Sequence, residues 1–120
     1  MLNDLQPGYF KHIYLMTGYT DLRRGIDSLA YLIQTEFHLD PYKPGNLFMF
    51  CGRRTDRIKC LTYEGDGWLL MYKRLSDGSF VWPRCEAEAR NLSDQQLRWL
   101  MDGLSIDQKK VIRQVQPELF

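Results

Sequence analysis

The sequence predicts an α+β fold, a single antiparallel β-meander of about five strands packed with helices from the N- and C-terminal parts. Three observations carry that expectation. Strand-like apolar runs between residues 46 and 82 are joined by short connections that contain glycine. A stretch before them keeps its apolar residues at helical spacing, and a stretch after them opens with a helix-capping signature. At 120 residues the chain has the usual size of one domain, expected over 1–120 with a core at about 11–104 and a C-terminal helical tail at 105–120.

Residues 1–10 are an irregular lead-in broken by Pro7-Gly8, and Lys11–Thr17 is a β-type run centred on Ile13, Tyr14 and Leu15. Gly18–Asp21 turns into a helix with Thr20 or Asp21 as N-cap. Leu22, Ile26, Leu29, Ala30, Ile33 and Phe37 then line one helical face. Gly25 inside this helix costs about 1 kcal/mol against alanine and points to close packing. The helix stops near His38, because Pro41 and Pro44-Gly45 cannot continue it. Runs follow at Asn46–Cys51, Asp56–Tyr63, Trp68–Leu75 and Phe80–Trp82. Their connections are too short for a parallel crossover, which needs a dozen or more residues, so neighbours are expected to be antiparallel. Ser93 and Gln96 form a capping box ahead of Leu97, Leu100, Met101 and Leu104. A second candidate box, Ser105 to Gln108, opens a polar helix with Val111, Ile112 and Val115 that Pro117 ends.

Lys and Arg number 16 against 15 Asp and Glu, and a net charge of +1 excludes a histone-like, charge-driven binder. The arrangement is uneven, however. Residues 43–84 carry eight cations (Lys43, Arg53, Arg54, Arg57, Lys59, Lys73, Arg74 and Arg84) and four acids, or +4, and the remainder carries −3. If the hairpins close symmetrically, Tyr63 faces Trp68, Leu61 faces Leu70, Lys59 faces Tyr72 and Arg57 faces Arg74, all on one side of the sheet with Phe48 and Phe50. Leu47, Met49, Ile58, Cys60, Leu69 and Met71 take the other side. Arg53 and Arg54 sit at a hairpin tip, as exposed donors suited to phosphate oxygens.

A face that mixes aromatics with cations admits two readings. It is a nucleic-acid platform, with Phe48, Trp68 and Tyr72 stacking on bases and Arg53, Arg54, Arg57, Lys59, Lys73 and Arg74 meeting phosphates. Otherwise its aromatics pack under a second layer while the cations snorkel to the rim. Which side of the sheet is open decides between them.

Neither a metal site, a cofactor site nor a catalytic site is expected. Cys51, Cys60 and Cys85 form no CxxC pair and read as buried reduced thiols. Asp21 and Asp27, six residues apart on a helix, fall on different faces, and capping plus an Arg24–Asp27 ion pair accounts for that charged cluster. His12 and His38 have no nucleophile pattern nearby, and no GxSxG, P-loop or HExxH occurs. There is no run of 18 apolar residues, and the first eight residues have neither a basic nor an apolar signal region, so a cytoplasmic, membrane-free protein is expected.

Particular residues resemble a known family. Asp21-Leu22-Arg23-Arg24-Gly25-Ile26-Asp27 with Leu29-Ala30 is similar to a signature of the TnpB-type accessory proteins of bacterial insertion sequences of the sixty-six class, a transposase-associated Orf2-like family distinct from the RNA-guided nucleases also called TnpB. The similarity continues through Leu47–Arg54, Asp56–Lys59, Gly65–Trp68, Tyr72–Leu75 and Phe80–Pro83, so that it covers roughly residues 8–104. This chain departs at Cys60, Thr62 and Thr55, where such proteins often carry an aliphatic, an aromatic and a third basic residue. The resemblance implies a small non-enzymatic protein that assists transposition beside a separate, larger transposase, with no active-site residues to assign. DNA and that transposase are the expected partners. The alternative is an adaptor that docks on the transposase without binding DNA, its aromatic strip acting as a hot-spot patch; a metal-dependent nuclease is a third reading without motif support.

Overall fold

The computed structural model describes residues 1–108. Its strands are β1 (His12–Met16), β2 (Asn46–Cys51), β3 (Arg57–Tyr63), β4 (Trp68–Arg74) and β5 (Ala89–Leu92), and its helices are α1 (Ile26–Thr35) and α2 (Asp94–Met101). One five-stranded sheet runs in the order β4-β3-β2-β1-β5. The α+β expectation holds, but the sheet is mixed and not a pure antiparallel meander: β1 and β2 pair in parallel, His12 opposite Asn46 and Leu15 opposite Met49. The 17–45 connection is long enough to carry a helix, so it can return the chain for a parallel pairing.

The β2–β3–β4 meander has the expected register, with Phe48 opposite Leu61 and Phe50 opposite Lys59. Across the next ladder Tyr63 meets Trp68, Lys59 meets Tyr72 and Arg57 meets Arg74. The expected strand at Phe80–Trp82 does not form. The Phe80 N–H donates to the Thr55 carbonyl at 2.7 Å, and the Trp82 indole donates to the Met16 carbonyl at 3.0 Å. Both side chains are buried, so the segment crosses the end of the sheet and plugs the core there. The fifth strand is β5, which pairs antiparallel with the free edge of β1.

Two apolar layers sandwich the sheet. On one face Met16, Phe48, Phe50 and Leu61 pack against Leu29, Ala30 and Ile33 of α1, with Leu22, Ile26 and Phe37 partly buried around them. On the other, Leu15, Leu47, Met49, Ile58 and Cys60 pack with Phe80, Trp82, Leu97, Leu100 and Ile106. The α2 capping box is present in both directions, since the Gln96 N–H donates to Ser93 Oγ at 3.1 Å and the Ser93 N–H to Gln96 Oε1 at 2.9 Å. Leu104 lies past the end of α2 and is exposed, so it does not continue the apolar face.

The start of α1 differs from expectation. Its N-cap is Gly25, in extended conformation and with no atom near where a Cβ would stand, so neither an interior helical glycine nor close packing occurs there. Asp21 instead accepts the Arg23 N–H in a turn of its own ahead of the helix, which starts at Ile26. Beyond Gln108, the expected C-terminal helix lies outside the described residues.

Candidate nucleic-acid interface

The carboxyl ends of the parallel strands β1 and β2 bring two loops side by side. Gly52, just after β2, lies so close to the 18–24 segment that a Cβ there would stand 3.1 Å from the Thr20 carbonyl oxygen. The Thr20 N–H donates to the Cys51 carbonyl at 2.9 Å and fixes the approach. Arg84 clamps the pair: Nη1 donates to the Gly18 carbonyl at 2.7 Å, Nη2 donates to the Gly52 carbonyl, and the guanidinium lies 4.1 Å from the centre of the Tyr19 ring. Cys51 Sγ lies 3.5 Å from the carbonyl oxygens of both Arg54 and Arg57, and burial raises its pKa, so the group under the hairpin is a thiol donor.

The 20–24 segment is braced internally and tied to the sheet. The Arg23 N–H donates to Asp21 Oδ1 at 3.0 Å, and the Arg23 guanidinium grips both carboxylate oxygens, the shortest contact being 2.7 Å. The Arg23 hydrogen bonds hold the Asp21 carboxyl at about 2, well below its ordinary 3.8. The expected Arg24–Asp27 pair is absent, because Arg24 donates to Ser28 Oγ at 2.8 Å. Lys59 Nζ donates to the Arg24 carbonyl at 2.9 Å and ties the segment to the sheet.

Between this segment and the β2–β3 hairpin opens a groove of about 990 Å³. Tyr19 to Arg23 form one wall, Gly52 to Arg54 and Arg57 the other, and Leu70 and Tyr72 of β4 the sheet side. Five cationic side chains line it against a single lining carboxylate, Asp21. Tyr19 and Tyr72 are 64% and 52% exposed, so their rings stand in solvent instead of completing the core. Asp56 lies behind the hairpin and meets two of the cations, Arg57 Nε at 2.9 Å and Arg54 Nη2 at 3.0 Å. The hydrogen bonds from Arg57 first, then Arg54, bring its carboxyl down to about 2.

The cations named from the sequence therefore divide. Arg53 and Arg54 are exposed at the hairpin tip, and Arg57 and Lys59 are half-buried along the groove. Arg74 is exposed at the end of β4 opposite Arg57, just outside the groove lining. Lys73 points the other way: it pairs in register with buried Ile58, and its Nζ donates to Asn3 Oδ1 near the N-terminus. It belongs to no common strip with Arg57 and Lys59, since adjacent strand residues take opposite faces. Arg84 is spent on the loop clamp.

The stacking candidates divide too. Phe48 is fully buried beneath α1 and cannot meet a base. Trp68 is half-buried at the far end of β4, 4.9 Å from Tyr63 and 5.0 Å from Tyr42 between ring centres. Only Tyr72 lies with the cations. Of the thiols, Cys60 is buried and its pKa is pushed up to about 12 by burial, whereas Cys85 is exposed, against expectation. Among the described residues no three His, Cys, Asp or Glu side chains gather as a metal-ligand set, and no helix is long and apolar enough to cross a membrane. Tyr19 and Arg23 are groove residues that motif spacing alone did not single out, and Leu22, which spacing placed on the apolar helical face, lines the groove as well. The available signal was an aromatic flanked by Gly18 and Thr20 in a turn, where no core position exists to bury it.

Residues 11–111 match the family described as IS66 Orf2 like protein. Among similar chains, Uncharacterized protein y4hO of Sinorhizobium fredii is 40% identical over 100 residues, which span 83% of this chain and 86% of that one. Uncharacterized protein y4jC of the same organism is 34% identical over 98 residues, or 82% and 83% of the two chains. No solved structure matches the chain. The family match takes in every strand of the sheet, both helices and all the groove walls, and the chain belongs to the IS66 Orf2-like family of transposition-associated proteins.

Proposed function

We propose that this protein is a non-enzymatic accessory protein of DNA transposition that binds nucleic acid through the groove between residues 19–23 and the β2–β3 hairpin. The carrying observation is the convergence of Arg23, Arg53, Arg54 and Arg57 with two exposed tyrosines in one concavity. Guanidinium groups in that number make a phosphate-binding rim, and three of them come from the basic 43–84 stretch that the +1 total conceals. Membership of a transposition-associated family supports DNA as the polymer. If about four phosphates are engaged, log K falls against log salt with a slope near −3 to −4 on duplex DNA. Titration of labelled terminal-repeat DNA at several salt concentrations tests this. No binding at low salt, or binding unchanged in the Arg53→Ala/Arg54→Ala double variant, refutes it.

A second reading has its own observation. Tyr42, Tyr63 and Trp68 form an aromatic cluster at the opposite end of the sheet, with Tyr42 52% exposed, and such residues anchor protein interfaces. On that reading the protein is an adaptor for the element's transposase. Co-purification with the transposase that is lost in Tyr42→Ala, together with no DNA affinity of this chain alone, selects it.

A further inference from the structure

We infer that the groove receives an unpaired nucleotide, a single strand or a base displaced from a duplex, stacked on Tyr19 and Tyr72. This rests on the reading of the groove as a nucleic-acid site and specifies its substrate. The lining of the groove mixes cationic, apolar and aromatic side chains. The exposed guanidinium groups of Arg23, Arg53 and Arg54 form its rim, Leu22 and Leu70 are half-buried in the lining, and the two exposed tyrosine rings stand beside them. Duplex DNA presents phosphates outward and keeps its bases paired, so it would use the rim and leave the apolar lining wet. An unpaired nucleotide uses both: its phosphate meets the rim and its flat base displaces water from carbon and ring surface.

Tyr19 is prepared for that role. Its ring carries the Arg84 guanidinium at 4.1 Å, and Arg84 is itself fixed to the carbonyls of Gly18 and Gly52. An exposed ring held in this way loses little freedom when a base stacks on it. Tyr72 is held from below by the β3–β4 ladder, opposite Lys59. The volume, about 990 Å³, is at the upper end for a small-molecule pocket and has room for one or two nucleotides. No Asn or Gln amide is among the lining residues, and π-faces carry the contact, so the stacking is tolerant of sequence.

The test is fluorescence anisotropy with a 5′-labelled 20-nucleotide single strand and with the same sequence as a blunt duplex, on the whole protein at fixed low salt. Wild type is compared with Tyr19→Leu, Tyr72→Leu, Tyr72→Phe and the Arg53→Ala/Arg54→Ala variant, each checked for fold by circular dichroism. The single strand is expected to bind at least about tenfold tighter than the duplex. Each Tyr→Leu change should weaken single-strand binding by about 5- to 150-fold with the salt slope unchanged, while Tyr72→Phe keeps it. A 2-aminopurine in the single strand should lose fluorescence on binding to wild type and less so with Tyr72→Leu. Equal affinity for both forms, or no effect of either leucine, overturns the inference; if the arginine variant still abolishes binding, the broader nucleic-acid reading stands without it. No binding of either form overturns both.

Discussion

Removing the Arg84 clamp probes the link between stability and the site. The side chain makes two charge-assisted hydrogen bonds to carbonyls of different segments, Gly18 and Gly52, and covers the Tyr19 ring. Hydrogen bonds to a charged group contribute about 1.5–3 kcal/mol each, and an exposed cation–π contact about 0.5–1 kcal/mol. Arg84 is half-buried, so water can reach the freed carbonyls in part. The net loss in Arg84→Met, which keeps the stem but not the donors, is then about 2–4 kcal/mol. In a domain of this size that lowers Tm by roughly 8–16 °C. Arg84→Lys keeps the charge, but one ammonium group lacks the planar fork that spans both carbonyls, and its loss should fall between. Thermal unfolding followed by far-ultraviolet circular dichroism measures the shifts. Well below Tm, oligonucleotide affinity should fall as well, because the wall carrying Tyr19 is no longer fixed to the hairpin. An Arg84→Met protein melting within about 2 °C of wild type would refute the clamp, since even the lower bound of about 2 kcal/mol exceeds that shift.

Gly52→Ala places a methyl 3.1 Å from a backbone carbonyl, and the crowding should cost about 1–3 kcal/mol in urea denaturation; an unchanged midpoint contradicts the close approach. Phe48→Ala should cost about 3–5 kcal/mol by opening the core under α1 while leaving oligonucleotide affinity of the folded protein as it was, and the converse pattern would restore Phe48 to the binding surface. The Asp56 carboxyl sits at about 2 when folded against an ordinary 3.8, so its ion pairs stabilise the fold above about pH 4, and that contribution is lost as pH falls from 4 through 2. Chemical-denaturation midpoints across this range in low salt should fall more steeply for wild type than for Asp56→Asn, and parallel curves would contradict the assignment. At neutral pH, Asp56→Asn frees Arg54 and Arg57 and should tighten oligonucleotide binding with a steeper salt slope; weaker binding by a folded variant argues that Asp56 positions these arginines for contact.

The meander was legible because its turns are short and glycine-bearing, and the period of two then placed Arg57, Lys59 and Tyr72 on one face as the ladders have them. The α1 apolar stripe and the Ser93–Gln96 box were legible for the same reason: each is a local pattern with a local cause. Elements decided by distant partners were not. Ala89–Leu92 has little strand character and becomes β5 by completing the free edge of β1. Phe80–Trp82 has strong strand character, yet its hydrogen bonds go to Thr55 and Met16. At the site, the exposed Arg53/Arg54 tip follows from the hairpin alone, whereas the groove depends on contacts between distant segments, Thr20 to Cys51, Lys59 to Arg24 and Arg84 to Gly18 and Gly52. Phe48 shows the limit of composition, since an aromatic beside cations on one sheet face is platform or core according to which helix covers it. Here α1 covers Phe48 and Phe50 on the central strand β2, whereas Tyr72 on the edge strand β4 stays exposed.

The most direct measurement of the groove's role is a residue-resolved NMR titration of the isotope-labelled protein with an unlabelled single-stranded oligonucleotide from the element's terminal repeat. Amide shifts should concentrate at residues 19–23, 52–57 and 70–74, with the Tyr19 and Tyr72 ring resonances among the most displaced. Shifts centred on Tyr42, Tyr63 and Trp68, or none at low salt, would contradict the assignment of nucleic-acid binding to this groove.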